Sequence, residues 1–141
     1  MKPLLYQDFP VQTYDTIRYG DTDRQGHVNN ATMATFFETG RVAILYGLEH
    51  PILAKDSSFV LASIKLDYLK ETNWPGTVEI GTAIAKVGKS SIHFIQQVFQ
   101  NNICVARAES VSVQVLNETG KSTPLTEDAR QTLQKWLLPE D

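Results

Sequence analysis

The residues able to do chemistry in this chain crowd into one short segment, Asp21-Thr22-Asp23-Arg24-Gln25-Gly26-His27-Val28-Asn29-Asn30. Two carboxylates and an imidazole lie just ahead of the apolar periodicity that marks a helix. The first N–H groups of a helix have no partner within it and carry partial positive charge. They can polarise a carbonyl while a nearby carboxylate attacks it or activates water. An imidazole at His27 could act as a general base near neutral pH. The same residue types also suit a purely architectural use, because Asp and Asn favour tight turns and helix caps, and on spacing alone that use is the commoner one. The lone cysteine, Cys104, has no activating motif around it and reads as a small buried hydrophobe rather than a nucleophile.

A helix over roughly 30–46 must carry the end of this segment. Met33, Phe36, Phe37, Gly40, Ile44, Leu45 and Leu48 recur at helical spacing and make one apolar stripe. Asn29 or Asn30 suits the N-cap and Gly47 the C-terminal stop. Glu38 and Arg41 stand one turn apart and could pair. A strand over 11–19 precedes the loop. Four more follow at 59–71, 77–87, 90–100 and 103–116; the first places Val60, Ala62, Ile64, Leu66 and Tyr68 on one side. The joins Asn73-Trp74-Pro75-Gly76, Gly88-Lys89 and Asn101-Asn102 are short, which suits antiparallel neighbours. A last helix over 125–137 is expected, with Thr126 as its cap. One antiparallel sheet with a buried face needs a cover, and the long helix has the length and the stripe to supply it.

Composition sets the outer bounds. A chain of 141 residues, 42% apolar and 21% charged, fits one globular domain over 1–141. A net charge of -3 and a pI near 5.6 weigh against nucleic-acid binding. One cysteine excludes an intramolecular disulfide and a cysteine-based zinc site, and no metal site is expected. No apolar run reaches membrane-span length, and Met1-Lys2-Pro3-Leu4-Leu5 opens no signal-peptide core, so a soluble, cytoplasmic protein is expected.

Asp21-Thr22-Asp23-x-x-Gly26-His27-Val28-Asn29-Asn30-Ala31, followed by Phe37-Glu38-x-x-Arg41, resembles the signature of hotdog-fold acyl-CoA thioesterases. It is nearest to the 4-hydroxybenzoyl-CoA thioesterase family, including the type associated with the bacterial Tol-Pal system. The resemblance runs from about Thr13 to Leu116. It implies an α+β hotdog fold, an antiparallel β-sheet wrapped around one long central α-helix. It further implies that Asp23 is the catalytic carboxylate, as nucleophile or general base toward the thioester carbon, and that the backbone N–H of Asn30 polarises the carbonyl. Gly26 matches the small residue that lets the loop approach the ligand, and His27 and Asn29 occupy positions beside the pocket. Asp21 is left a structural role. A helix carboxylate is catalytic in some distant hotdog enzymes, but with Asp23 present Glu38 and Arg41 read as a structural pair. Met33 departs from relatives that carry an aromatic there.

Gly88-Lys89-Ser90-Ser91 resembles the turn where this family meets the coenzyme A nucleotide, usually across a subunit interface. Lys89, Ser90 and Ser91 are therefore the expected coenzyme contacts, with Lys65, Lys70 and Arg107 as further cations. Coenzyme A would be part of the substrate, so no separate cofactor is implied. The resemblance also implies a homodimer or homotetramer, with Ile95, Phe99, Cys104 and Ala106 suited to burial between copies. The acyl group is expected near Phe36, Phe37, Val60 and Leu61. Two other readings stand beside hydrolysis. One is a non-catalytic acyl-CoA-binding protein. The other is a hydratase or dehydratase, which would want a His-x-x-x-Pro-Gly type of segment that does not occur here.

Overall fold

The computed structural model describes residues 4–139, so Met1–Pro3 and the extreme ends of the expected 1–141 domain lie outside it. Strand β1 (Val11–Ile17) leads through a single 3-10 turn to helix α1 (Asn30–Leu45). Strands β2 (Ser57–Tyr68), β3 (Gly76–Val87), β4 (Ser91–Gln100) and β5 (Ile103–Leu116) follow, then the short helix α2 (Glu127–Leu133). The strands form one five-stranded sheet in the order β1-β3-β4-β5-β2, and every pair is antiparallel. Among the described residues no helix is long and apolar enough to cross a membrane.

The joins explain part of this order. Asn101 and Asn102 both take positive φ, 51° and 65°, the left-handed geometry a two-residue hairpin needs and Asn tolerates. The join at Asn73–Gly76 is not a hairpin, contrary to the expectation from its length. β2 lies at the far edge beside β5, and the chain passes the ends of β5 and β4 before entering β3. Leu69 and Lys70 donate their N–H groups to the Val105 carbonyl (2.9 and 3.1 Å) on the way.

α1 packs its apolar stripe on the inner face of the sheet. Met33, Phe36 and Phe37 meet Ile17, Val78, Ile80 and Val98; Ile44 and Leu45 meet Ile84, Ile92 and Phe94 near the other end. Burying a side chain of this kind contributes about 1.5–3 kcal/mol, so the stripe fixes the helix to the sheet. The closest approach is at Gly40. A Cβ there would collide with Thr82 Oγ1 and lie 2.6 Å from Gln96 Nε2 and 2.9 Å from Ile80 Cγ2. Gln96 is fully buried and uses both ends of its amide. Its Nε2 donates to the Phe37 carbonyl (2.8 Å) and to Thr82 Oγ1 (3.0 Å), and its Oε1 accepts from Arg41 Nη1 (3.3 Å).

Several local expectations change. Arg41 turns into the sheet and is 5% exposed, while Glu38 stays on the surface; among the described residues the two form no ion pair. Burial pushes the Arg41 guanidinium below its ordinary pKa, and the charge of Glu38 pulls the other way. Leu48 is 95% exposed, because α1 ends at Leu45 with Tyr46 as its C-cap and the last member of the stripe falls in the loop. A β-bulge between Leu61 and Ser63 reverses the alternation of β2. Phe59 and Leu61 therefore share the inner face with Ile64, Leu66 and Tyr68, opposite Gln114, Ser112, Ser110, Ala108 and Ala106, whereas Val60 pairs with Val113 on the other side.

The ends of the chain cover part of the outer face. Leu4, Tyr6, Phe9 and Leu138 pack with Ala83, Ile95, Phe99 and Cys104. Phe99 is thus covered by this chain's own segments, Ile95 and Cys104 only in part, and Ala106 belongs to the core under α1. The last helix is shorter than expected: Thr126 Oγ1 caps it by accepting from Ala129 N–H (3.0 Å), and after Leu133 the chain tightens into a 3-10 turn. Leu138 then donates to the Ile84 carbonyl (2.8 Å), using the part of β3 that β1, paired only as far as Thr82, leaves open.

Gly40→Ala is expected to lower unfolding stability by about 1–3 kcal/mol, the range for overpacking a tight contact. Urea denaturation followed by circular dichroism measures it; an unchanged midpoint would show that α1 can shift off Gln96 freely.

Candidate active site

The site is built where the loop before α1 meets the segment after β2. Residues 22–28 form a tight reversal, with a bridge between Thr22 and Val28 and Asp23 N–H donating to the His27 carbonyl (2.8 Å). Gly26 sits at φ +80°, a left-handed position with open space around it. Asp23 Oδ1 accepts from Gln25 N–H (2.8 Å) and His27 N–H (3.1 Å). That oxygen is committed to the loop, while Oδ2 has no protein donor among the described residues. Asp23 is exposed, so this second oxygen can meet a ligand.

Asp21 has a different surrounding. Its Oδ2 accepts from Arg18 N–H (2.8 Å) and lies 3.9 Å from the Arg18 guanidinium, and its carbonyl accepts from Asn29 N–H (2.7 Å). It anchors both ends of the turn that delivers Asp23.

Asn29 is the N-cap of α1. Its Oδ1 accepts from Ala31 N–H (2.8 Å), and its carbonyl accepts from Thr32 and Met33 N–H (3.0 and 3.3 Å). The side-chain oxygen of Asn29 thus orders the helix start. The N–H of Asn30, the first helical residue, has no protein acceptor among the described residues. It is left as the available donor at the positive end of a 16-residue helix.

A second segment holds the loop in place. Val28 N–H donates to the Thr72 carbonyl (2.7 Å) and Trp74 N–H to the Gly26 carbonyl (3.4 Å). Gln100, buried at the end of β4, grips Asn73 at both backbone groups: Nε2 donates to the Asn73 carbonyl (2.8 Å) and Oε1 accepts its N–H (3.0 Å). From the edge strand, the Tyr68 hydroxyl donates to the Asn30 carbonyl (2.8 Å). His27 Nε2 lies 3.1 Å from Glu71 Oε2.

These groups line one cavity of about 320 Å³, walled by Asp23, His27, Asn30, Met33, Tyr68 and Thr72, with Lys70 and Glu71 at its margin. Three of the residues singled out from sequence, Asp23, His27 and Asn30, therefore meet in one place, with Asn29 supporting them from behind. Lys89, Ser90 and Ser91 do not join them. Their turn lies at the far end of β3, whose 12 residues span about 35 Å. There Lys89 and Ser90 carbonyls accept from Leu125 and Gln114 N–H (2.9 and 2.8 Å); Lys89 is exposed and Ser90 and Ser91 are half-buried. Cys104 also lies apart. Burial raises its thiol pKa, against a nucleophilic thiolate.

Tyr68, Glu71 and Thr72 escape the sequence reading. Tyr68 closes an alternating strand, and nothing in that pattern marks its hydroxyl. Glu71 and Thr72 stand in an irregular segment, and only the ladder to the loop brings them to His27 and Val28.

Comparison with known proteins gives the following. Residues 17–137 match the model of the thioesterase-like superfamily. The chain is 31% identical to the Bacillus subtilis (strain 168) protein YsmA, over 94% of this chain and 97% of that one. The structure of the PA5185 protein from Pseudomonas aeruginosa strain PAO1 is similar in fold, with a TM-score of 0.85 at 23% identity, covering 97% and 98% of the two chains. A thioesterase from Thermus thermophilus, solved in complex with coenzyme A and Zn, is similar with a TM-score of 0.76 at 27% identity, covering 91% of this chain and 94% of that one.

Asn29→Ala is expected to cost about 1 kcal/mol of stability through loss of the cap, and Asn29→Asp to restore most of it. Thermal unfolding of the two variants checks this; equal midpoints would mean the helix start does not depend on the side chain.

Proposed function

The chain belongs to the thioesterase-like superfamily and has the α+β hotdog fold, and from that premise we propose that it is an acyl-CoA thioesterase, releasing the free acid and coenzyme A. The observation that carries the reading is the pairing, in one cavity, of the Asp23 carboxylate with the open Asn30 N–H. A thioester carbonyl oxygen placed on that N–H gains a donor that strengthens as negative charge develops. Asp23 Oδ2 then either attacks the carbon or takes a proton from an attacking water. In both cases the C–S bond breaks with its electron pair on sulfur, and water supplies the oxygen and protons of the acid and thiol. The coenzyme A bound by the Thermus protein supports that thiol as the leaving group.

The coenzyme end of the site is read across two copies. The free edge of β2 exposes Val60, Leu61, Ile64 and Tyr68, an apolar, unpaired edge of the kind that proteins cover. Pairing two such edges antiparallel about a two-fold axis sets the Tyr68 end of one copy beside the Phe59 end of the other. The register Val60↔Val113↔Ser91 places the Gly88–Ser91 turn at that Phe59 end. The partner's turn then comes to the side of the cavity holding Asp23. Lys89 and the Ser90–Ser91 hydroxyls supply phosphate donors there, in a homodimer or in a homotetramer made of two such dimers.

A panel of acyl-CoAs with a free-thiol readout is expected to show turnover, and Asp23→Asn to lower kcat by about 100-fold or more. Saturable coenzyme A binding without turnover on any acyl group would favour a binding protein instead. Undiminished turnover in Asp23→Asn would remove Asp23 from the chemistry.

A further inference from the structure

We propose that Glu71 and His27 form a proton-delivery pair, in which Glu71 positions the imidazole and His27 protonates the departing thiolate sulfur. The proposal rests on the hydrolase reading above and divides its labour: Asp23 serves the attack, His27 the departure.

Three observations carry it. His27 Nε2 meets Glu71 Oε2 at 3.1 Å, which fixes the ring and leaves Nδ1 without a protein partner among the described residues. The pair is held by backbone and not by chance on the surface. His27 bridges to Asn73, Val28 N–H is bonded to the Thr72 carbonyl at 2.7 Å, and Gln100 clamps Asn73 from β4. Finally, His27 is tied to the carboxylate, since its own N–H donates to Asp23 Oδ1 at 3.1 Å, and both side chains face the cavity that holds Asn30. The charged groups around the imidazole are Asp23 from its own loop and Lys70 and Glu71 from the segment after β2; α1 contributes none there, and β2 contributes Tyr68.

The chemistry follows from what Asp23 cannot do. If Asp23 attacks and becomes acylated, it has no proton to give the sulfur as the C–S bond breaks; if it takes the water proton instead, that proton sits on Oδ2 beside the attacking water and is the one that later recharges His27. An alkyl thiol ordinarily holds its proton at neutral pH, so the departing thiolate is a base that gains from a nearby acid. The imidazolium, its far nitrogen held by the Glu71 carboxylate, gives its Nδ1 proton to sulfur and becomes neutral imidazole. It is recharged by the proton that water releases. Across the cycle one water is consumed, and one acid and one thiol are formed.

The test changes the leaving group and keeps the acyl group. The substrates are an acyl-CoA and the 4-nitrothiophenyl thioester of the same acid, whose far more acidic thiol departs without help. Glu71 is largely exposed (69% of its side chain), so Glu71→Gln leaves the core untouched. The loss of kcat/KM in Glu71→Gln and in His27→Gln is expected to be about ten-fold or more greater for the acyl-CoA than for the aryl thioester, and to fall mainly on kcat. Equal losses for both thioesters would make the pair a structural tie of the loop, and no loss for either would remove it from the reaction; both overturn the proposal while the hydrolase reading stands. A wild-type protein that cleaves neither thioester overturns the hydrolase reading itself, and the proposal with it.

Discussion

The first turn of α1 is the constraint on which the rest of this structure depends. A helix start can polarise a ligand only if one of its N–H groups stays free while the others are satisfied. Asn29 takes the Ala31 N–H on its side chain and those of Thr32 and Met33 on its carbonyl. The Asn30 N–H is left over, and the Asn30 carbonyl is held by Tyr68. Everything before the helix then serves to bring a carboxylate alongside. Asp21 pins the turn at Arg18 and Asn29, and the reversal through Gly26 returns Asp23 to the cavity. One of its oxygens is tied down and the other is open.

Holding that helix start in place is the work of a polar seam inside an apolar core. Apolar packing fixes α1 to the sheet but is tolerant of small slides. Gln96 is not, because its amide must match the Phe37 carbonyl, Thr82 and Arg41 at once, and a slide along the axis would leave buried polar atoms without partners. Gly40 gives the seam its short distance. Gln100 does for the segment after β2 what Gln96 does for α1. Two buried glutamines of one strand thus register the two halves of the site against a common frame.

Much of this is legible in the amino-acid order. The loop with its two Asp residues, the stripe from Met33 to Leu45 and the alternation of β3 to β5 are local patterns, and local patterns survive into the fold. The parts that are not legible depend on residues far apart in the chain. Strict alternation places Val60 with Ile64 because it ignores a bulge, and the bulge shows only in the pairing with β5. The short join after β2 suggests a hairpin, yet its backbone is used by the 22–28 loop and by Gln100. Arg41 reads as a surface partner of Glu38 until Gln96 is brought beneath it. Glu71 and Tyr68 carry no motif at all and reach the site through tertiary hydrogen bonds alone. The Gly88–Ser91 turn is read from resemblance, and within one chain it stands at the opposite end of the sheet.

In the proposed reaction the open end of α1 polarises a thioester carbonyl. The most direct test is the infrared carbonyl stretch of an acyl-CoA labelled with carbon-13 at the thioester, bound to the Asp23→Asn variant so that the complex persists. A band at clearly lower frequency than that of the same thioester free in water is expected, since a fixed donor at the head of a helix dipole weakens the C=O bond more than mobile water does. A band unmoved on binding, or moved to higher frequency, would contradict it.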